Sequence, residues 1–217
     1  MRYIFILLLP ILAFGASFIE TEDCITLQGD TDYILIKKTD AYIPPISGII
    51  VHDYSGNGND GTNYGAVYAD CKMTFNGVDD YVDTGLTPQD NWQYRLKARL
   101  ITENGGLGLM VGYRIVNSRV YIGHSSSKWL MGYGTRSQTT TTAVNFVEHE
   151  FYLSNCYFFV DNILVSSQSY SFDSETRNVI LGARDNLGDI TEFANFEIME
   201  YECYANNVLI QHFNFTK

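Results

Sequence analysis

Long apolar runs are scarce after the first sixteen residues, proline occurs four times, and basic residues are outnumbered, 14 Lys and Arg against 25 Asp and Glu, for a formal charge of −11. Each shortage excludes something. Without a run of about 20 apolar residues past the start, the body of the chain offers no helix able to cross a membrane. The acidic balance repels phosphate backbones and anionic lipid surfaces, so nucleic acid is a poor partner, while neutral sugars, cations and basic proteins stay open. Cysteine is sparse too. Cys24, Cys71, Cys156 and Cys203 never form a Cys-x-x-Cys pair, which argues against a zinc site. The four histidines, His52, His124, His149 and His212, show no His-Glu-x-x-His spacing, and neither a Gly-x-Ser-x-Gly elbow nor a phosphate loop with its Lys occurs. No repeat with a period of tens of residues is present, which excludes a propeller or solenoid.

What is abundant points one way. Sixteen Tyr, thirteen Phe and eighteen Gly in 217 residues suit many twisted strands joined by tight turns, in a chain long enough to bury one sandwich core. Residues 1–16, MRYIFILLLPILAFGA, place one Arg before an apolar run that ends in small residues, the pattern of a secretory signal peptide cleaved near Gly15 or Ala16. Glu20, Glu22 and Asp23 follow too soon for a membrane span, and cleavage would take the charge to −12 by removing Arg2. In an exported chain the four cysteines read as two disulfides with all three pairings open, buried free thiols being the alternative. Residues 17–217 are then one domain.

Strand-like segments follow each other along that domain. Ile25–Leu27 and Tyr33–Ile36 come before the Pro44-Pro45 break, and Trp92–Thr102, Leu107–Tyr113, Arg119–Gly123 and Trp129–Tyr133 form a ladder separated by polar turns. Ser137–Thr142, SQTTTT, reads as an exposed loop, with glycosylation as the alternative. From Asn145 to Ser154, Val147, His149, Phe151 and Leu153 share one face, and Phe146, Glu148, Glu150 and Tyr152 the other. Tyr157–Val160, an Asp161-Asn162 turn and Ile163–Val165 read as a hairpin, and Phe193–Tyr204 with Val208–Phe213, joined at Asn206-Asn207, as the closing pair.

The densest signal is Val51–Gly85. Ser55-Gly56-Asn57-Gly58-Asn59-Asp60-Gly61 crowds residues that accept positive φ or bond their own backbone, so it must be a loop. Met73 and Phe75 then alternate with polar neighbours as a strand, and Gly77 bends the chain before Asp79-Asp80-Tyr81-Val82-Asp83. An Asp-x-Ser-Gly-Asn-Gly-Asn-x-Gly-Thr loop after the apolar Ile49-Ile50-Val51, a Gly-Ala pair and Phe-x-Gly-x-Asp-Asp-Tyr-Val resemble the opening of a laminin G-like domain of the concanavalin A-like lectin and glucanase superfamily. The later hairpin, Leu181-Gly182-Ala183-Arg184 and the closing pair are similar to the rest of such domains, so the resemblance spans about residues 46–215. It implies an all-β, two-sheet antiparallel jelly-roll sandwich.

Two kinds of site come into question. Asp53-Tyr54-Ser55-Gly56-Asn57-Gly58 has the opening pattern of a calcium loop, but Tyr64 stands where a helix-loop-helix site needs a bidentate Glu. A looser calcium cage from Asp53, Asn57 or Asp60 with Asp79 or Asp80 is one reading; the other is that these side chains cap their own turns. For sugars, aromatic platforms beside amides or carboxylates are the requirement, and Trp129, flanked by Ser125-Ser126-Ser127-Lys128 and Gly132-Tyr133-Gly134, leads the candidates with Tyr133, Trp92, Tyr113 and Arg184. The glucanases of the superfamily carry three acids on one strand face, like Glu-x-Asp-x-Glu. Here strict alternation would split Glu197 from Glu200 and Glu202, and only His149 separates Glu148 from Glu150, so an enzyme is not expected. The reading is a secreted or surface-bound, non-catalytic module that recognises glycans or surface proteins. Alternatives are a structural or decoration subunit of an extracellular or virion assembly, with homo-oligomers allowed, and a degenerate glucanase.

Overall fold

Alternation of apolar and polar residues sets the facing of Lys72–Asn76, Trp92–Thr102 and Glu148–Ser154, while Leu107–Arg114, Arg119–Ser125 and Lys128–Tyr133 are buried along most of their length. The structure is a computed structural model that describes residues 49–103, 106–115, 118–154, 157–167, 171–173 and 177–216. The expected leader, the strands at 25–27 and 33–36, Cys24 and Cys156 lie outside them. Within them run β1 (Ile49–Val51), β2 (Gly61–Tyr64), β3 (Val67–Ala69), β4 (Lys72–Asn76), β5 (Tyr81–Asp83), β6 (Trp92–Thr102), β7 (Leu107–Arg114), β8 (Arg119–Ser125) and β9 (Lys128–Tyr133). After them come β10 (Arg136–Ala143), β11 (Glu148–Ser154), β12 (Tyr157–Val160), β13 (Ile163–Ser167), β14 (Ile180–Leu181), β15 (Arg184–Asn186), β16 (Asp189–Thr191), β17 (Asn195–Ala205) and β18 (Val208–Asn214). The described residues contain no helix.

The first sheet runs β1-β2-β5-β14-β7-β8-β9-β10, with β15 and β16 attached at β7; the second runs β13-β12-β11-β6-β17-β4-β3. All pairs are antiparallel except β15, which lies parallel to β7. β17 carries two partners end to end on one side, β4 along Asn195–Ile198 and β18 along Glu200–Ala205. The sheets face each other over one apolar layer, to which Tyr94, Leu96, Ala98 and Leu100 of β6 contribute four successive inward side chains. Phe75 stacks on Phe196 at 4.5 Å within the second sheet, and Trp129 of the first meets Phe151 of the second edge-on at 4.8 Å. The sandwich expected from the sequence is the one found, with Met73 and Phe75 inward. In Leu181-Gly182-Ala183-Arg184, Gly182 has φ +87, and a Cβ there would overlap the Phe75 ring, so only glycine lets this turn close on the core.

Hairpin turns supply much of the register. Asp70-Cys71, Ser126-Ser127, Asp161-Asn162 and Asn206-Asn207 each place both residues at positive φ, the two-residue geometry whose twist matches the flanking strands. Two expectations need correction. Ser137–Thr142 is not a loop but most of edge strand β10, paired with β9 through a bulge; threonine favours extended backbone, and Thr140 turns inward. The four cysteines do not form two disulfides, because Cys203 is a free thiol on the inward face of β17, where burial pushes it far above its usual range. Cys71 is disulfide-bonded.

One buried base has no partner. His124 of β8 is fully buried opposite Trp129, and Gly108 across on β7 leaves the space its ring fills. Neither ring nitrogen has a hydrogen bond, so burial holds the imidazole below its ordinary value of 6.5 against a weak pull from Glu103. The unfolded chain therefore takes up this proton first as the medium is acidified, and His124's contribution is intact above about pH 6.5 and is lost as pH falls through it. Urea unfolding at pH 7.5 and 5.5 should show a smaller acid loss for His124→Leu than for the native chain; equal losses would refute the assignment.

Candidate functional site

The aromatic residues expected to stack sugars are largely core. Trp129 is 1% exposed, Tyr133 1% and Tyr113 not at all, while Trp92 packs half-buried against the same layer. The Ser126-Ser127 turn is too tight to leave Trp129 at a loop edge: it pairs Ser125 with Lys128 and sends Lys128 outward and Trp129 inward. Arg184 is buried as well. It pairs with Glu192 at 2.6 Å, donates to the Tyr121 hydroxyl at 2.8 Å and lies over that ring. None of these four buried side chains offers a face to a ligand.

The two acidic loops do not pool their carboxylates. Asp53 accepts the N–H groups of Ser55 (2.8 Å), Asn59 (2.9 Å) and His212 (2.9 Å) and the Ser55 hydroxyl. Burial pushes its carboxyl up, but these donors outweigh it and hold Asp53 below its usual range. Asp60 accepts from the Asp53 N–H, and Asn57 donates to the Leu209 carbonyl. Asp80 accepts from the Asn76 N–H and Asp79 from the Asn76 amide, with Asp80 raised by burial, partly countered by that bond and reinforced by Asp79. Among the described residues, none of these aspartates joins a group of three ligand-bearing His, Cys, Asp or Glu side chains. Of the two readings of these side chains, turn capping is the arrangement the hydrogen bonds show.

Chemistry-bearing groups gather instead on the outer face of the second sheet. Because Tyr94, Leu96, Ala98 and Leu100 point inward, Gln93, Arg95, Lys97 and Arg99 must point outward along β6. Glu148, Glu150 and Tyr152 of β11 flank them on one side. On the other side a bulge intervenes: Ile198 stands opposite Ala98 but Glu200 opposite Lys97, so Met199 is the extra residue. It returns Glu197 to the same face as Glu200 and Glu202, which strict alternation forbids. Nothing in Glu-Ile-Met-Glu-Tyr-Glu announces the bulge, whereas Arg-x-Lys-x-Arg against Tyr-x-Leu-x-Ala-x-Leu was a legible signal for the basic stripe.

Three rows cross the strands. One reads Glu148, Arg99, Glu197, Thr74; the next Glu150, Lys97, Glu200, Asn214; the third Phe159, Tyr152, Arg95, Glu202, His212. A basic stripe thus lies between two acidic ones. Lys97 meets Glu148 at 2.9 Å, Arg99 meets Glu197 at 2.6 Å, and Arg95 bridges Glu150 and Glu202. Lys97 is raised chiefly by its bond to Glu148, while Arg95 is lowered by burial yet raised on balance by Glu150. At the aromatic end Tyr152 packs on Phe159 at 5.9 Å and donates to Gln93, whose amide donates to Asn207, and the Tyr204 hydroxyl donates to Glu202. Arg95, Lys97, Glu150 and Glu200 line a shallow polar depression of about 240 Å³.

Among the described residues, Glu200, Glu202 and His212 bring their ligand atoms within 4.8 Å of one another, donors of the kind that bind metal ions. His212 already contacts Glu200 at 2.9 Å, and Arg95 and Tyr204 hold Glu202.

Comparison with known proteins places the fold alone. No protein-family model and no curated protein matches the sequence. Among solved structures, a Trypanosoma rangeli sialidase mutant with trans-sialidase activity superposes with TM-score 0.55 at 13% identity, over 72% of this chain and 30% of that one. A structure of botulinum neurotoxin type C, on ganglioside-dependent cell entry, superposes with TM-score 0.52 at 12% identity, over 75% and 47%. The chain thus spans less than half the length of either protein.

The hydrogen-bond pattern of Asp53 carries its own test. Removing a fully buried acceptor from several donors costs about 1–3 kcal/mol, and Asp53, being only partly buried, belongs at the lower end of about 1 kcal/mol. Asp53→Ala should lower unfolding stability by that amount equally in calcium buffer and in chelator, and a chelator that alone reproduced the loss in the native chain would restore the cage reading.

Proposed function

We propose that this protein is an exported, non-catalytic recognition module of the laminin G-like kind that binds glycans on the outer face of its second sheet. One observation carries the reading: a row in which the paired rings of Phe159 and Tyr152 adjoin Arg95 and Glu202 on neighbouring strands, with the Gln93 amide beside them bonded to Asn207 of the β17–β18 turn. A sugar presents apolar C–H patches next to hydroxyls. Ring faces meet the first, and guanidinium, carboxylate and amide groups meet the second with paired donors and acceptors. The depression beside them is smaller than a drug-sized cavity and suits a single sugar residue held at a surface. The botulinum neurotoxin with a similar fold is itself described as entering cells through interaction with two ganglioside molecules, which is in keeping with this choice, whereas the sialidase is described by its trans-sialidase activity.

Hydrolysis is the weaker reading although Glu197, Glu200 and Glu202 share a face. Glycoside cleavage needs two carboxylates flanking a scissile bond, one free to give a proton. Here Lys72 and Arg99 hold Glu197, His212 holds Glu200 and Arg95 holds Glu202, on an open sheet surface.

A specific feature favours the structural-subunit alternative: β13 ends the second sheet and exposes Ile163 at 67% and Leu164 at 50%. An apolar sheet edge invites strand addition by another chain. A glycan array together with size measurement in solution separates the two. Recognition predicts binding that Tyr152→Ala and Arg95→Ala each weaken at least about tenfold, roughly 1.4 kcal/mol, while Val78→Ala, a change at an exposed loop residue, does not. A flat array with a stable oligomer that Leu164→Lys dissociates would transfer the assignment to the subunit.

A further inference from the structure

Asn214-Phe215-Thr216 is an Asn-x-Thr tripeptide without proline, the acceptor pattern for N-linked glycans in chains that enter a secretory lumen. The pattern alone is common, and its local structure makes it specific here. Phe215 is buried in the core, 5% exposed, so the residues on either side are turned away from the core, Asn214 half-buried at the end of β18 and Thr216 exposed. The Asn214 side-chain oxygen accepts both the Thr216 N–H at 2.9 Å and the Thr216 hydroxyl at 2.8 Å. This closes an Asx turn in which the hydroxyl that defines the pattern touches the amide it serves. The Asn214 amide nitrogen donates no hydrogen bond to a described residue. It lies on the outer face, opposite Glu200, where a large substituent meets solvent and not the opposite sheet.

We propose that Asn214 is an N-glycosylation acceptor, which rests on the reading that the chain is exported. The co-substrate is an oligosaccharide carried on a lipid diphosphate. In the transfer, a bond forms between the Asn214 amide nitrogen and the anomeric carbon of the first sugar. The bond from that carbon to the diphosphate oxygen breaks, the lipid diphosphate leaves with the electron pair, and one amide proton passes to a base of the transferase. The attached glycan stands at the end of the row Glu150, Lys97, Glu200, Asn214, at the margin of the depression.

The test is intact-mass and peptide analysis of the full chain secreted from a eukaryotic host, with an added efficient leader so that delivery does not depend on residues 1–16. The expected result is a hexose-bearing mass on most molecules, removed by peptide N-glycosidase with conversion of residue 214 to Asp. Asn214→Gln and Thr216→Ala should abolish it, and Thr216→Ser should retain it, since serine keeps the hydroxyl. Secreted protein with an unmodified Asn214 peptide, or modification that survives Thr216→Ala, overturns the proposal. A parallel chain relying on its own first sixteen residues reports on export separately: if it stays inside the cell while the helped chain is glycosylated, the export reading falls and takes the proposal for the native chain with it, whereas an unmodified Asn214 in the helped chain overturns the acceptor assignment alone.

Discussion

Tyr94, Leu96, Ala98 and Leu100 reach the opposite sheet from four successive inward positions of β6, and that packing governs what the outer surface can be. Burying the leucines stabilises a sandwich by about 1.5–3 kcal/mol each, more than a typical exposed ion pair contributes. With the inward set fixed, a one-residue slip would bury Arg95, Lys97 and Arg99 without partners. The basic stripe is thus the geometric complement of the core strand, and its neighbours follow by register. Cross-strand pairs with Glu148, Glu150, Glu197 and Glu202 each add only a few tenths of a kcal/mol, but they align the guanidinium and carboxylate planes. A surface held that way presents its charged groups in a fixed order.

The bulge at Met199 shows how little sequence is needed to change a site. β17 must hand over from β4 to β18 along one edge, and the extra residue falls at the handover, between Ile198 and Glu200. Its effect is to reverse the facing of everything after it relative to strict alternation. Three glutamates that period-two counting divides between core and solvent come together, and Tyr201 and Cys203 turn inward to pack near Tyr94. A bulge of this kind is decided by which strands must be joined, and so it cannot be seen in a six-residue window.

The same distinction between local and tertiary causes explains what could be read in advance. The strand ladder, the two-sheet architecture, the Asp161-Asn162 and Asn206-Asn207 turns and the inward Met73 and Phe75 were legible because period and turn chemistry are local. Trp129 was misplaced because Ser126-Ser127, lacking Gly, Asn or Asp, gave no sign of a two-residue turn with both φ positive. Arginine is mostly exposed in folded proteins, and nothing local in the sequence signals that Glu192 and Tyr121 satisfy Arg184 out of solvent. Burial of those side chains depends on elements far away in sequence.

The Gly-Asn loop, the most recognisable stretch of the chain, acquires its meaning from a partner 150 residues away. Ser55 and Asn59 donate to the Ile210 carbonyl, Asn57 to that of Leu209, the Tyr54 N–H to that of His212, and Asp53 accepts the His212 N–H. Gln211, buried beneath, donates to the carbonyls of Asn59 and Thr84. The connection between β1 and β2 of the first sheet is therefore a clamp on β18 of the second, the strand that sets His212 opposite Glu202 and Asn214 opposite Glu200. Asp53, Ser55, Asn57 and Asn59 all spend side-chain bonds on that clamp, so a segment with the composition of a cation loop has a structural role. The glycines let the backbone turn sharply enough for Asp53, Asn57 and Asn59 to reach one strand at once, with Gly56 and Gly58 both at positive φ. Through that clamp the loop fixes the stretch of β18 that carries His212 and Asn214 beside Glu202 and Glu200, so its sequence is tied to the geometry of the outer face.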